Sequence, residues 1–275
     1  MKVKLFDGKV WHTVIGIIAA LASSLSFLMG FDLIEDSEVK KYVLWGFGVV
    51  SILIYVGVLI YANNKKSTIL KIRQTTINIK YGDIYNENGR KIIEFNQYFD
   101  TQVDDIIIAK KAPDGKFITK YGKKRIDKSI DADKRLQSSC IIDRDCKRKQ
   151  GGKSIKYKLG TVHNFHVSDE EDFFLMAFSQ FDENDQAFHT FESYISCLMN
   201  LWRELDKLYA LKSIAMPLLG SGITRFIDGE KTKQELLELI VWTFKQSQVN
   251  FKSPASLTIV LDKSFKNDIN LYKID

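Results

Sequence analysis

The sequence predicts an α/β domain, built as a mixed sheet with helices on both faces, that follows a hairpin of two long apolar helices. Three features carry this prediction. Two apolar runs of membrane-spanning length occupy the N-terminal part of the chain, short apolar runs alternate with amphipathic stretches after them, and polar loops follow several of the short runs. Such alternation is typical of sheets that contain parallel strands.

The two N-terminal runs, residues 10–31 and 42–62, contain no Asp, Glu, Lys or Arg. A helix of about 20 residues rises about 30 Å, the thickness of the hydrocarbon core of a bilayer. The alternatives are a pair of buried core helices, or a signal peptide for the first run. That run is longer than a typical signal-peptide core, and a second run follows it. We therefore expect residues 1–66 to form a transmembrane hairpin and residues 67–275 to form the second domain.

The charges that flank the runs predict their orientation in a membrane. Both outer flanks are basic, and the connecting loop is mainly acidic. Because cytoplasmic flanks carry an excess of Lys and Arg, both termini are expected in the cytoplasm. The predicted location is a cell membrane, with a multi-pass anchor and a cytoplasmic second domain. The basic flanking residues are Lys2, Lys4, Lys9, Lys65, Lys66, Lys71 and Arg73.

In the second domain, the spacing of apolar residues alternates between that of strands and that of helices. Alternating or continuous apolar runs predict strands, and apolar residues at three and four spacing predict helices. The run 173–181 is almost continuously apolar, as expected for a strand buried on both faces. No motif is recognised between residues 110 and 153. The predicted strands are 77–82, a short strand from residue 92, 156–167, 173–181, 213–216 and 256–261, and the predicted helices are 188–209 and 231–247.

Three loops at predicted strand ends carry the candidate binding residues. Asp83 and Ile84 follow the first strand, and Asn96 and Asp100 lie in the polar loop after the second. The third loop, residues 217–226, contains two glycines, whose freedom to take positive φ lets successive N–H groups turn inward and bind an anion. An ordinary turn is the alternative for each loop. Since ligands bind outside the carboxyl ends of parallel strands, we expect the three loops to form one site.

Together these loops resemble a macro domain, the fold that binds ADP-ribose and related dinucleotide fragments. The resemblance covers roughly residues 68–275, and residues 96–101 and 217–226 are most similar to the macro domains of Thoeris antiphage effectors. It implies that Asp83 and the Ile84 N–H contact adenine, and that Asn96 and Asp100 face the distal ribose. The implied diphosphate loop with its flank is Leu219, Gly220, Ser221, Gly222, Ile223, Thr224 and Arg225.

The resemblance also implies a function in antiphage defence. In Thoeris systems a partner with a Toll/interleukin-1 receptor (TIR) domain cleaves NAD during infection and releases an ADP-ribose derivative, which is histidine-ADP-ribose in the membrane-anchored branch. The chain would be a bacterial membrane effector that binds this signal and disrupts the membrane through its helices, without catalytic residues, cofactor or metal. Gly16, Ala20 and Ser24 form a stripe of small residues, which predicts helix association and a ligand-linked homo-oligomer.

Two other function classes agree less well with the sequence. An ADP-ribosyl hydrolase needs an activated water, for which Asp100 or Asp104 could be the base. The bulky residues 97–99 stand where such hydrolases have a glycine-rich loop, and this disfavours hydrolysis. Nucleic-acid binding needs a basic groove, but the net charge of +6 is spread over the membrane flanks and residues 144–153, which we expect to form a solvated, mobile loop.

Metal binding is not expected from the spacing of His and Cys residues. His163 and His166 lie three apart on a predicted strand and therefore point to opposite faces. The three cysteines are odd in number and lack the spacing of metal ligands, so we expect reduced thiols.

Overall fold

The computed structural model describes residues 3–30, 36–168, 171–182, 184–222 and 224–274. The chain divides into two compact units, of which one comprises Met1–Thr68 with Lys266–Asp275 and the other Ile69–Phe265. The first is called the hairpin unit here and the second the sheet unit. The C-terminal ten residues thus group with the hairpin, whereas the sequence assigned residues 67–275 to a single domain.

The hairpin unit contains α1 (Gly8–Gly30), α2 (Ser37–Asn64) and the short C-terminal helix α8 (Leu271–Ile274). Asp36 begins α2 because its side chain accepts hydrogen bonds from two backbone N–H groups of the first turn. Val10 and Val14 of α1 belong to a small buried cluster that also contains Tyr272 of α8. The Tyr272 hydroxyl lies 2.6 Å from the Thr13 hydroxyl, so α8 is anchored to α1 by a polar contact as well.

Most of the apolar surface of the two long helices is exposed. Trp45 is 74% and Leu53 64% exposed, although both lie well inside α2. The two helices are long and apolar enough to cross a membrane by length and composition. They contain the predicted runs 10–31 and 42–62 except for Phe31, which lies outside the described residues.

The sheet unit is built on one sheet that, over the described residues, has nine strands in the order β1-β2-β11-β9-β3-β7-β8-β10, with β6 paired to β7. The centre of the sheet is parallel: each strand runs parallel to the next in the order β2, β11, β9, β3 and β7. β6 and β8 pair antiparallel with β7, which makes the sheet mixed as predicted. The strands are β1 (Ser67–Ile72), β2 (Thr75–Tyr81), β3 (Arg90–Asn96), β6 (Val162–Ser168), β7 (Glu171–Phe181), β8 (Ala187–His189), β9 (Ile214–Pro217), β10 (Arg225–Phe226) and β11 (Leu257–Leu261).

The two longest helices of the sheet unit begin at good N-caps. Thr190 and Thr232 each form a capping box, which fixes the first turn of α6 (Phe191–Leu208) and α7 (Lys233–Ser247). The region without a recognised motif folds into α3 (Pro113–Tyr121), α4 (Lys123–Ala132), α5 (Lys134–Ser139) and a two-stranded sheet of β4 (Ile141–Asp143) and β5 (Lys156–Tyr157). Phe117 of α3 is fully buried in the core, with its ring 4.9 Å from that of Phe173.

Two sequence predictions of single elements are wrong. Residues 156–167 form two strands, β5 and β6, because the chain turns between them and the Gly160 N–H donates to Ala177 O. The helix predicted from residue 188 begins at Phe191, since residues 187–189 form β8 between β7 and β10. The spacing of apolar residues, three and four positions apart, does not distinguish this short strand from the helix that follows.

Candidate functional site

A cavity of about 700 Å³ lies at the carboxyl edge of the parallel strands. This volume is within the range of about 300–1,000 Å³ that small-molecule sites occupy. Residues at the ends of β2, β3, β7, β9 and β11 line it, which is the edge where ligands of open α/β sheets bind. The three predicted loops therefore reach one cavity. Predicted residues among its lining are Asp83, Ile84, Asn96, Ser221, Gly222, Thr224 and Arg225.

Asp83 and Ile84 stand where β2 ends. The Asp83 carboxylate accepts a hydrogen bond from the Tyr85 N–H at 3.0 Å and so caps a single turn of 3-10 helix, residues 84–86. The Asp83 side chain is exposed, and Ile84 is partly buried. Both line the cavity, so the turn presents a carboxylate and an apolar side chain to a ligand.

Asn96 and Asp100 are buried and bonded to each other, with the Asn96 Nδ2 donating to Asp100 Oδ2 at 3.1 Å. The Asn96 Oδ1 accepts from the Tyr98 N–H at 3.0 Å, so this side chain also holds its own turn. Asn96 lines the cavity, but Asp100 is not among the lining residues. The structure thus brings Asn96 and not Asp100 to the cavity surface.

Arg148 explains why Asp100 is withdrawn. Its guanidinium is 2.5 Å from Asp100 Oδ2 and 2.7 Å from Asp185 Oδ1, and the Arg148 side chain is only 4% exposed. The same guanidinium lies over the ring of Tyr98, 4.2 Å from its centroid. The prediction of a solvated, mobile loop at residues 144–153 is therefore wrong at Arg148, because two buried carboxylates hold this part of the loop.

The glycine loop divides into residues behind the cavity wall and residues on it. Leu219 is fully buried, and its carbonyl accepts a hydrogen bond from the Tyr194 hydroxyl at 3.0 Å. Leu219 and Gly220 are not among the lining residues, whereas Ser221 and Gly222 are. Ile223 of the predicted site lies outside the described residues.

Gly220 and Gly222 have different structural requirements. Gly220 has φ +80°, and a Cβ there would lie 3.3 Å from Tyr194 and 3.4 Å from Phe178. A Cβ at Gly222 would meet nothing within 4 Å, and the φ of Gly222 is not in the left-handed region. Gly220 is therefore needed for the fold of the loop, while the missing side chain of Gly222 leaves room on the cavity side.

Thr224 and Arg225 complete the described part of the loop. The Arg225 guanidinium is 2.8 Å from the Asp182 carboxylate, and the Arg225 side chain is about half exposed. Arg225 reaches the cavity from this exposed position and can turn toward an anion by giving up a weak surface pair.

Sequence reasoning missed several residues that line the cavity. Glu94 of β3 is the most unusual, because burial raises its pKa to about 8, against the lowering effect of a hydrogen bond from the Gly220 N–H. Burial also raises the pKa of Asp114, at the start of α3, to about 6. A single acid within the apolar run 92–95 was the available signal for Glu94. The other missed lining residues include Ile106, Ile107, Phe181, Asp185, Asp262 and Phe265.

The two histidines of β6 contact different partners, as predicted for positions three apart on a strand, which point to opposite faces. The buried His163 contacts Ser129 and Asp133, and His166 contacts Asp172. Within the described residues, no group of three or more His, Cys, Asp or Glu side chains could hold a metal ion.

The sequence is similar to known macro-domain proteins. The family model described as "Thoeris protein ThsA, Macro domain" matches residues 77–262. The Thoeris protein ThsA of Bacillus amyloliquefaciens (strain Y2) is 37% identical in an alignment of 270 positions that covers 94% of this chain and 86% of that protein. The Oceanobacillus iheyensis macrodomain with ADP has 17% identity and a TM-score of 0.48, over 76% of this chain and 94% of that one. A variant of that macrodomain with ADPR has 17% identity and a TM-score of 0.49, over 76% and 96%.

The mixed sheet, the cavity at its carboxyl edge and the family match define a macro-domain protein. Its identity with the curated relative extends beyond that domain over nearly the whole chain. The chain belongs to the Thoeris ThsA family, which confirms the resemblance found in its three loops.

Proposed function

We propose that this protein is a membrane-anchored antiphage effector whose cavity binds an ADP-ribose-derived signal. The observation that carries the proposal is the meeting of three predicted loops at one cavity, at the edge of the sheet where nucleotides bind. The adenine would lie against Asp83 and Ile84, and the diphosphate against residues 221–225. The distal ribose would then lie near Asn96.

The ligand proposed is histidine-ADP-ribose, made from NAD by a TIR-domain partner that acts through the signal and need not touch the chain. The cavity suits a ligand with a further substituent on the distal ribose. Beyond Asn96, its lining continues to Phe181, which offers an apolar face, and to Asp185, whose carboxylate is paired with Arg148.

Binding is favoured over ADP-ribosyl hydrolysis by the environment of the candidate bases. Asp100 is fully buried and paired with Arg148. The Asp104 carboxylate accepts hydrogen bonds from the Ile106 and Ile107 N–H groups, so both carboxylates already hold protein groups. Tyr98 and Phe99 are buried where a hydrolase would need a loop that wraps the diphosphate. A general base needs reach to a substrate water, and these contacts work against it.

The hairpin unit would be the part that acts on the membrane, with both termini in the cytoplasm. Its exposed apolar surface agrees with a lipid environment. Gly16, Ala20 and Ser24 are exposed on α1, and a Cβ at Gly16 would meet nothing within 4 Å. Small exposed residues let helices approach closely, so α1 can contact a second copy in an oligomer.

Calorimetric titration of the full chain in detergent with ADP-ribose, NAD and histidine-ADP-ribose tests the binding site. We expect histidine-ADP-ribose to bind most tightly and Gly222→Val to weaken it at least about 100-fold, since the added side chain occupies phosphate volume, a loss of about 2.7 kcal/mol. Gly57→Val is the matched control, because a Cβ there also meets nothing within 4 Å but lies in α2.

Three results would contradict the proposal. Absence of binding by all three compounds would remove the sensor function. Equal weakening in the Gly222→Val and Gly57→Val variants would place the ligand elsewhere. Turnover of ADP-ribosylated protein that Asp100→Ala abolishes would establish the hydrolase instead.

A further inference from the structure

Residues 148–153 form a strap that connects two loops at the cavity. Asp185 lies in the loop after β7 and lines the cavity, and Asp100 lies in the loop after β3. Arg148 Nε donates to Asp185 Oδ1 at 2.7 Å, and Arg148 Nη1 donates to Asp100 Oδ2 at 2.5 Å. Because β3 and β7 are paired in the sheet, this one guanidinium holds two neighbouring loops together.

The backbone of the strap binds the remaining oxygens of the same two carboxylates. The Gln150 N–H donates to Asp185 Oδ2 at 2.7 Å, and the Lys153 N–H donates to Asp100 Oδ1 at 2.8 Å. Each carboxylate therefore accepts hydrogen bonds through both of its oxygens. Two-point contacts of this kind fix the orientation of a carboxylate as well as its position.

Asp100 in turn holds the side chain of Asn96. Asp100 Oδ2, the oxygen that Arg148 contacts, accepts a hydrogen bond from Asn96 Nδ2 at 3.1 Å. The Asn96 Oδ1 accepts from the Tyr98 N–H at 3.0 Å and from the Asp100 N–H at 3.4 Å, so both ends of the amide group are held. An amide nitrogen has two hydrogens, and the second Nδ2–H of Asn96 can be donated to a ligand in the cavity that Asn96 lines.

Two adjacent glycines show how closely the strap fits the ion pair. Gly152 has φ +93°, and a Cβ there would lie 2.5 Å from Arg148 Nη1 and 2.8 Å from Asp100 Oδ1. Gly151 has φ +82°, but a Cβ there would meet nothing within 4 Å. Both positions therefore favour glycine for their backbone conformation, and only a side chain at Gly152 would also displace the contact between Arg148 and Asp100.

We propose that Arg148 is a positioning residue that acts through Asp100: it directs the second Nδ2–H of Asn96 toward the distal ribose and thereby makes the site selective for ADP-ribose over ADP. Arg148 is not among the lining residues of the cavity, and its side chain is only 4% exposed, so it acts without touching the ligand. One hydrogen bond to a ligand changes affinity by up to about tenfold. This inference rests on the proposed function, because it needs the distal ribose to lie near Asn96.

Calorimetry of the full chain in detergent with ADP-ribose, and with ADP, which lacks the distal ribose, tests this inference. We expect the unsubstituted chain to bind ADP-ribose more tightly than ADP. Gly152→Ala should weaken ADP-ribose binding about tenfold and ADP binding less than about twofold, because only the contact to the distal ribose is misdirected. Gly151→Ala is the matched control, since it introduces similar backbone strain in the same strap, and it should change either affinity by less than about twofold.

A double-mutant cycle tests whether the effect depends on Asn96. Asn96→Ala removes the amide group that the strap is proposed to position. Addition of Gly152→Ala to Asn96→Ala should then weaken ADP-ribose binding no further, because coupled positions are not additive. Losses that add in the double variant would show that the strap does not act through Asn96, and this would overturn the inference.

The outcomes separate this inference from the proposed function. If neither ADP-ribose nor histidine-ADP-ribose binds, the proposed function fails. If ADP-ribose binds no more tightly than ADP, or if Gly152→Ala weakens both compounds equally or neither, Arg148 does not position Asn96, and nucleotide binding in the cavity is unaffected by that result. Should Gly152→Ala not fold, Arg148→Lys decides with the same two compounds, because lysine keeps the charge but not the planar fork that contacts both carboxylates. An equal loss for ADP and ADP-ribose in that variant overturns the inference.

Discussion

The two units of this protein use similar apolar residues in opposite ways. In the hairpin unit Trp45 and Leu53 are 74% and 64% exposed, whereas in the sheet unit Trp202 and Leu175 are fully buried. An apolar side chain is stabilised by leaving water, whichever apolar medium receives it. The sheet unit supplies that medium from its own chain. The hairpin unit leaves its surface open, as expected for helices that lipid would cover.

The same contrast applies to charges. The sheet unit buries Arg148 together with Asp100 and Asp185 and can do so because each charge has an opposite partner within 2.7 Å. In α1 and α2, by contrast, residues 10–30 and 42–62 include no Asp, Glu, Lys or Arg. The following variants test both sides of this comparison.

The largest effect is expected from Arg148→Met, which leaves two buried carboxylates without their cation. Breaking a buried ion pair by removing one partner costs about 3–5 kcal/mol. Chemical denaturation of the sheet unit within the full chain should show this loss in the free energy of unfolding. Arg225→Met removes an arginine from an exposed pair and should cost about 0–1 kcal/mol. Equal stability losses in the two variants would contradict the assignment of Arg148 as a buried structural residue.

A pair of leucines tests the difference in burial directly. Leu175→Ala opens a cavity in the middle of β7 and should cost about 2–5 kcal/mol of unfolding free energy. Leu53→Ala on the exposed face of α2 should change that free energy by about 0.5 kcal/mol or less. Denaturation of both variants in the same detergent makes the comparison. A cost for Leu53→Ala as large as that for Leu175→Ala would mean that the chain itself covers this face of α2.

Among the substitutions that are not controls, the smallest effect is expected for Asp83→Ala, whose side chain is exposed at the rim of the cavity. Loss of one hydrogen bond to a charged acceptor should weaken histidine-ADP-ribose binding by about 1.5–3 kcal/mol. Asp83→Asn keeps an acceptor oxygen and the cap on Tyr85, so it should lose less. Calorimetry of both variants measures the difference, and an unchanged affinity in Asp83→Ala would remove this residue from the adenine site.

Local pattern predicted the elements that position the site, because β2 shows alternating apolar residues and the strands buried on both faces are apolar along their whole length. The runs near residues 77, 92, 214 and 257 are all strands, and their following loops meet at one cavity. The position of the binding loops could therefore be predicted from sequence. The short strand β8 could not be predicted, because its three residues share the apolar spacing of the helix after it.

Long-range contacts determine the features of the site that could not be predicted from the local sequence. Arg148 stands between Lys147 and Lys149, and in the sequence these three residues look like a solvated basic run. Its burial depends on Asp100 and Asp185, which are 48 and 37 residues away along the chain. The same pairing withdraws Asp100 from the cavity, so the expected role of that carboxylate at the distal ribose could not be judged from the loop alone.

Ion leakage from liposomes that contain the full chain tests the central claim, that a ligand in the sheet unit controls the hairpin unit in a membrane. We expect leakage after addition of histidine-ADP-ribose and little before it. The Gly222→Val variant, incorporated to the same level, should remain sealed at that concentration of the ligand. Leakage of equal size without ligand, or sealed liposomes at a ligand concentration that saturates binding, would contradict the account.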